Sequence, residues 1–217
     1  MIPHACRSRF ALMAVFMVCA NACTATQPVR IIPRGQSRII ASVGGPYLPK
    51  GSPTAVIPYT TVGMMRGVSD NATFVYNVHL LMAALGVAGV DVGAAHRLRA
   101  QSGLTPELTA LGQAYLFAGS GGARVFPHAS LNASWLRGKS QLLYVGAEAV
   151  GQFQGSPGVL ASPLAGWQFP AGRHLALQTE FKWMAANRDT RHGVFEGEST
   201  IGGHGALAFQ LGLQWAR

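Results

Sequence analysis

The last stretch of the chain, IGGHGALAFQLGLQWA (residues 201–216), alternates between two kinds of side chain. From 207 to 215 the odd positions hold Leu, Phe, Leu, Leu and Trp, whereas the even positions hold only Ala, Gln and Gly. Successive side chains of a β-strand point to opposite faces of the sheet. The period of two therefore predicts a strand whose two faces meet different surroundings.

The same alternation recurs along most of the chain, most clearly at 124–135, 141–153 and 175–184. Weaker alternation fills the gaps at 37–48, 55–68, 72–84, 88–98, 107–118 and 158–169. These segments predict about ten strands, with eight or twelve as alternatives. Residues 71–90 carry no formal charge and are long enough for a membrane helix, but their regularly spaced polar residues favour strand, tight loop, strand.

The composition limits where such strands can lie. Charged residues make up 12% of the chain and apolar residues 49%, whereas soluble domains carry about 25% charged residues. This balance excludes an intrinsically disordered chain. A soluble β-sandwich would need a charged outer face, but here the non-apolar face is mostly Gly, Ala, Ser, Gln and Asn. A sheet crosses lipid only when it is closed. We therefore predict an all-β fold, an antiparallel up-and-down transmembrane barrel over 38–217.

The N-terminus has the features of an export signal. Arg7 and Arg9 precede the apolar run FALMAVFMV (10–18), and Ala20-Asn21-Ala22 provides a small-residue cleavage site. Ala22-Cys23 also resembles a bacterial lipobox, which implies that Cys23 is a lipid anchor, although Ala20 stands where a lipobox usually has Leu. We expect a signal peptide at 1–22 and a lipidated tether at 23–37. Plain cleavage and a buried N-terminal helix are the alternatives.

Cysteine and charge exclude further classes of protein. The cysteines are Cys6, Cys19 and Cys23, so the body has neither a disulfide framework nor a Cys-based zinc site. Cleavage after Ala22 removes two arginines and lowers the net charge of +9 by two. Basic residues do not cluster along the sequence, apart from Arg30, Arg34 and Arg38. The basic charge therefore favours anionic lipid phosphates or anionic solutes over nucleic acid.

The pattern resembles bacterial outer-membrane β-barrel proteins over roughly residues 38–217. The ending Gln210-Leu211-Gly212-Leu213-Gln214-Trp215 is similar to the C-terminal signal that the barrel-assembly machinery reads in that group, although Ala216-Arg217 follow it. The resemblance implies a monomer in the outer membrane of a Gram-negative bacterium, with both termini periplasmic. Its partners would be outer-membrane lipid and the assembly machinery.

Alternation also assigns side chains to the two faces. Seven aromatic residues are predicted to face lipid: Trp135, Phe153, Trp167, Phe181, Trp183, Phe209 and Trp215. Eight polar residues are predicted to face the barrel interior: Arg124, His128, Asn132, Tyr144, Glu148, Glu180, Lys182 and His204. Small barrels are often filled by interior side chains, so we expect these residues to form a closed polar interior.

Several functions fit such a barrel. We expect a structural or small-solute-binding role, with no catalytic residue, cofactor or metal site. The alternatives are a narrow-pore transporter, a soluble periplasmic lipocalin-like barrel with its apolar face inward, and an outer-membrane lipid-modifying hydrolase. His128, Ser130 and Glu148 carry the hydrolase alternative, because His and Ser two residues apart point the same way on a strand. A lipid A deacylase is faintly similar in using such a pair.

Overall fold

The structure is a computed structural model that describes residues 26–46, 59–138, 141–153, 157–189 and 200–216. The predicted signal peptide and Cys23 lie outside these residues. The described chain forms ten strands and one short helix, in the order β1 (Ser37–Pro46), β2 (Tyr59–Gly67), β3 (Ala72–His79), α1 (Leu80–Ala84), β4 (Ala88–Arg99), β5 (Glu107–Gly119), β6 (Gly122–Arg137), β7 (Gln141–Gln152), β8 (Gly158–Pro170), β9 (Leu175–Asp189) and β10 (His204–Ala216).

The sheet closes on itself. Each strand pairs antiparallel with the next along the chain, and β1 pairs with β10 from Arg38 opposite Ala216 to Pro46 opposite Ala208. Closure leaves no unpaired sheet edge, so the predicted antiparallel barrel of about ten strands is confirmed. We call the end where β1 begins and β10 finishes the terminal end, and the opposite end, at Pro46 and His204, the far end.

The barrel is apolar outside and polar inside, as β3 illustrates. Its inward residues Thr73, Asn77 and His79 are almost fully buried, whereas Phe74 and Tyr76 on the other face are 42% and 38% exposed. These faces are the reverse of those in a soluble barrel that encloses an apolar ligand. The outer surface matches what lipid requires of a membrane-spanning sheet.

Helix α1 corrects the predicted boundary of the third strand. The segment predicted as strand 72–84 leaves the sheet after His79 and turns through Leu80–Ala84. The helix directs Met82 into the far end of the barrel, where the side chain is only 1% exposed. Among the described residues, no helix has the length and hydropathy to span a membrane.

The chain before β1 differs from the tether predicted at 23–37. Residues 26–36, which we call the lumen segment, run inside the barrel toward the terminal end and then turn into β1. Gln27, Val29 and Ile32 are 3%, 1% and 1% exposed. Ile32 donates its backbone N–H to Thr73 Oγ1 at 2.8 Å, which fixes the segment against β3. Residues 27–32 of the predicted tether therefore pack in the barrel interior, whereas residues 33–36 are exposed.

Candidate functional site

The middle of the barrel holds four buried side chains from β6, β7 and β9, which we call the central cluster: His128, Glu148, Glu180 and Lys182. Lys182 Nζ lies 2.8 Å from Glu148 Oε2 and 3.3 Å from Glu180 Oε1. His128 Nε2 lies 3.3 Å from the same oxygen of Glu148. All four residues are at most 3% exposed. One ammonium group thus lies between two carboxylates, which compensates charges that would be costly to bury alone.

The lumen segment completes the central cluster. Gln27 Nε2 donates to Glu148 Oε2 at 2.5 Å and lies 3.3 Å from His128 Nε2. Its carbonyl Oε1 accepts a bond from Asn132 at 3.2 Å, and its backbone oxygen accepts one from Gln178 at 3.0 Å. A single glutamine therefore joins the lumen segment to β6, β7 and β9.

Tyr144 extends this network toward β10. Its hydroxyl donates to Glu180 Oε2 at 3.0 Å and accepts a bond from Gln178 at 2.9 Å. Gln214 then donates to Gln178 Oε1 at 2.8 Å. The tyrosine ring fits because β8 has a glycine opposite it: a Cβ at Gly166 would lie 2.2 Å from the Tyr144 hydroxyl.

A second polar group, which we call the far cluster, lies on β2, β3 and β4 and consists of Tyr59, Asn77, His79 and Asp91. The Tyr59 hydroxyl is hydrogen-bonded to His79 Nδ1. His79 Nε2 lies 3.2 Å from Asp91 Oδ2, and Asn77 donates to Asp91 Oδ1 at 2.7 Å. None of these four residues is among those predicted from the sequence to face the interior. Asn77 and His79 stand two apart in the uncharged stretch 71–90, which was a usable signal.

Side chains of the protein lie at both ends of the lumen. At the far end five apolar or aromatic side chains pack with Tyr59 of the far cluster: Met82, Val87, Tyr115, Phe117 and Phe126. At the terminal end Arg30 lies 3.8 Å from Glu107 and donates to Ser134 Oγ at 3.0 Å. Burial lowers the pKa of the Arg30 guanidinium, and Glu107 opposes this shift. The guanidinium stays charged because arginine is not deprotonated in proteins.

The residues predicted to face the interior lie at different depths. His128, Asn132, Tyr144, Glu148, Glu180 and Lys182 are buried in the lumen. Arg124 is half-buried at the far end of β6.

The prediction that His204 points into the lumen is wrong. This side chain is exposed at the first residue of β10. The pairing of β10 with β9 shifts between His204 and Ala206, and Gly205 adopts a φ of 59° between them. The irregularity breaks the period of two on which the prediction rested.

The predicted lipid-facing aromatics all lie on the outer face. Phe153, Phe181, Trp215 and Trp167 are 69%, 60%, 53% and 43% exposed. Phe209 is less exposed because its ring packs on Phe181, with centroids 4.9 Å apart. Trp135 and Trp183 are also partly covered, and their indole N–H groups donate to the backbone oxygens of Leu104 and His204.

The residues of the hydrolase alternative face the filled interior. His128 contacts Glu148, as a catalytic histidine would contact its orienting carboxylate. Ser130 Oγ, however, accepts a bond from Asn132 at 3.4 Å, and the residue is 7% exposed. Within the described part of the chain, no three His, Cys, Asp or Glu side chains are grouped so that they could hold a metal ion.

Comparison with protein-family models and with curated proteins finds no match. Among solved structures, the chain is similar to a de novo designed transmembrane β-barrel, with 12% identity, a TM-score of 0.38, and coverage of 87% of this chain and 100% of that one. It is also similar to the translocator domain of the autotransporter NalP from Neisseria meningitidis, with 12% identity, a TM-score of 0.43, and coverage of 98% and 95%. The assignment of the fold to this chain depends on its own strand pairing and burial.

Proposed function

We propose that this chain is a closed β-barrel of the bacterial outer membrane with a structural or ligand-binding role and no catalytic activity. The observation that carries the proposal is the position of Gln27. Its side chain bonds to Glu148 on β7 and Asn132 on β6, and its backbone oxygen accepts a bond from Gln178 on β9. Aromatic side chains pack at the far end of the same lumen. We therefore expect no continuous water path for a solute through this lumen.

Two measurements test this proposal, one on the cell envelope and one on the purified barrel. A membrane barrel migrates differently in gels before and after boiling, so heat-modifiable mobility is expected, and release of the protein by osmotic shock would contradict a membrane location. The purified barrel in a planar bilayer is expected to give no steady conductance. Regular single-channel steps would instead identify a narrow-pore transporter.

The absence of catalysis needs its own experiment, because His128 and Glu148 do lie in contact. His128→Ala is expected to leave the acylation pattern of lipid A unchanged in mass spectra of whole cells. Gln27→Ala serves as the matched control, because it disturbs the same cluster without removing the histidine. Altered acylation in His128→Ala alone would support the lipid-modifying hydrolase.

We also propose that Cys23 carries a lipid and that both termini are periplasmic, with Gln210–Trp215 read by the barrel-assembly machinery. Radioactive palmitate is expected to label the full chain and to be lost in Cys23→Ser. Labelling that persists in Cys23→Ser would reject this residue as the anchor. A tag at the C-terminus should be protected from protease in intact cells, and cleavage there would reverse the proposed orientation.

A further inference from the structure

The terminal end of the barrel carries an open cavity of about 530 Å³, which we call the vestibule. This volume lies within the range of roughly 300–1,000 Å³ that is typical of small-ligand sites. Its charged or ionisable lining residues are Arg30, Arg38, Arg173 and His174, and no acidic side chain of the described residues lines it. The remaining lining is largely apolar and includes Val29 and Leu142.

The hydrogen-bonding state of Arg38 favours an anion as the ligand of the vestibule. Its Nη1 donates to Gln214 Oε1 at 3.1 Å, but its Nε is buried and has no hydrogen-bond partner among the described residues. A buried donor without a partner costs free energy. A ligand oxygen that accepts a hydrogen bond from this Nε would therefore be favoured in the vestibule. Arg30 is different, because Glu107 lies 3.8 Å away and compensates its charge.

The fold concentrates positive charge around this opening. Among the described residues, eight arginines lie at the terminal end, although the sequence separates them: Arg30, Arg34, Arg38, Arg66, Arg97, Arg99, Arg137 and Arg173. The acidic residues described there are Asp70 and Glu107. Such an excess of one sign raises the local concentration of ligands of the opposite sign.

We propose that the vestibule binds a phosphate group through Arg38 and Arg173, with the apolar part of the ligand against Val29 and Leu142. The planar guanidinium donates two parallel hydrogen bonds to phosphate oxygens, which suits a phosphate better than a small spherical anion. This inference rests on the proposed closed barrel, because a lumen with a continuous water path would present no blind cavity. The phosphate belongs either to a membrane lipid or to a soluble compound, and the arginines would bind both through the same hydrogen bonds to phosphate oxygens.

The experiment uses the purified full-length barrel in neutral detergent. Pyrophosphate is titrated calorimetrically as the soluble probe, and phosphatidylglycerol in mixed micelles is the lipid probe. Arg38→Gln and Arg173→Gln are each expected to weaken binding about ten-fold or more, the loss expected for one charge-assisted hydrogen-bond pair. Arg173 lies in an exposed turn, so its variant tests the site even if Arg38→Gln fails to fold. Arg124→Gln, at the far end, is the matched control and is expected to bind normally.

Binding of pyrophosphate that depends on these arginines supports the proposal and identifies a soluble phosphate. Binding of phosphatidylglycerol alone, with the same dependence, supports it and identifies a lipid. Failure of both probes, or binding that both variants leave unchanged, would overturn it. Bilayer conductance measured on the same preparation separates this result from the proposed function: a closed barrel that binds neither probe refutes the phosphate site alone, whereas steady conductance refutes the closed barrel.

Discussion

At the scale of single residues, the interior depends on a few groups that compensate one another. Lys182 is the clearest case, since its buried ammonium contacts both Glu148 and Glu180. Removing one member of such a group leaves an uncompensated buried charge and lowers the free energy of unfolding. Replacing all members by uncharged side chains can leave the free energy of unfolding almost unchanged. The contribution of these ions is therefore visible only when one of them is removed alone.

Lys182→Met is expected to destabilise the barrel by about 3–5 kcal/mol, because two carboxylates lose their counter-ion. The measurement is the urea concentration at which the folded, heat-modifiable band disappears. Adding Glu148→Gln and Glu180→Gln to Lys182→Met should restore much of the loss, since the two buried carboxylates are then absent as well. Equal stability of Lys182→Met and the wild type would show that the lysine does not compensate these acids.

Gly166→Ala tests how closely the interior is packed. A Cβ at Gly166 would lie 2.2 Å from the Tyr144 hydroxyl and 2.5 Å from the Thr179 backbone oxygen. Overpacking of this kind costs about 1–3 kcal/mol, measured by the same urea titration. Gly112→Ala is the matched control, because Gly112 lies in β5 and a Cβ there would meet nothing within 4 Å. Similar losses of stability in both variants would show that replacing a strand glycine, and not the contact with Tyr144, causes the loss.

At the scale of elements, the strands could be predicted because their cause is local. The period of two indicated the ten segments that form the strands, and the main error was α1, where Leu80–Ala84 continue an apolar run that fits a helix or a strand. The lumen segment could not be predicted in this way. Its apolar residues Val29 and Ile32 are too few to show a period, and their burial depends on strands far away in sequence.

The same limit applies to the candidate site. The inward positions of Glu148, Glu180 and Lys182 followed from alternation, but their pairing depends on the register of β6 to β9. The vestibule could not be predicted from the sequence, because Arg38 and Arg173 are far apart along the chain. They line one cavity only because the sheet closes.

The lumen segment can be tested as an element by cysteine labelling. In a chain that begins after Cys23, Val29→Cys introduces one thiol at a position that is 1% exposed, and Gln36→Cys introduces one at an exposed position. A water-soluble maleimide is expected to label position 36 rapidly and to leave position 29 strongly protected. Adding Gln27→Ala should speed labelling at 29, because it removes the bonds to Glu148 and Asn132. Rapid labelling of Val29→Cys without that change would contradict a segment held inside the barrel.

At the scale of the whole molecule, the two faces of the sheet account for the unusual composition. A chain with 12% charged residues can remain folded because its outer face is apolar and its lumen is filled by paired or hydrogen-bonded groups. The charges that remain are distributed unequally, because eight of the described arginines lie at the terminal end. The proposed membrane location therefore depends on whether the outer face of the barrel meets lipid or water.

A pair of leucines tests those surroundings directly. Leu131 is 50% exposed in the middle of β6, and Leu104 is 93% exposed in the connection between β4 and β5. In a membrane barrel, Leu131→Arg places a charge among acyl chains and is expected to reduce the free energy of folding into a lipid bilayer by about 2–4 kcal/mol. Leu104→Arg places the same charge outside the strands, so a change of at most about 1 kcal/mol is expected. Reversible folding into vesicles, followed by the heat-modifiable band, measures both variants. If Leu131→Arg cost no more than Leu104→Arg, the outer face would meet water, and the barrel would not span a membrane.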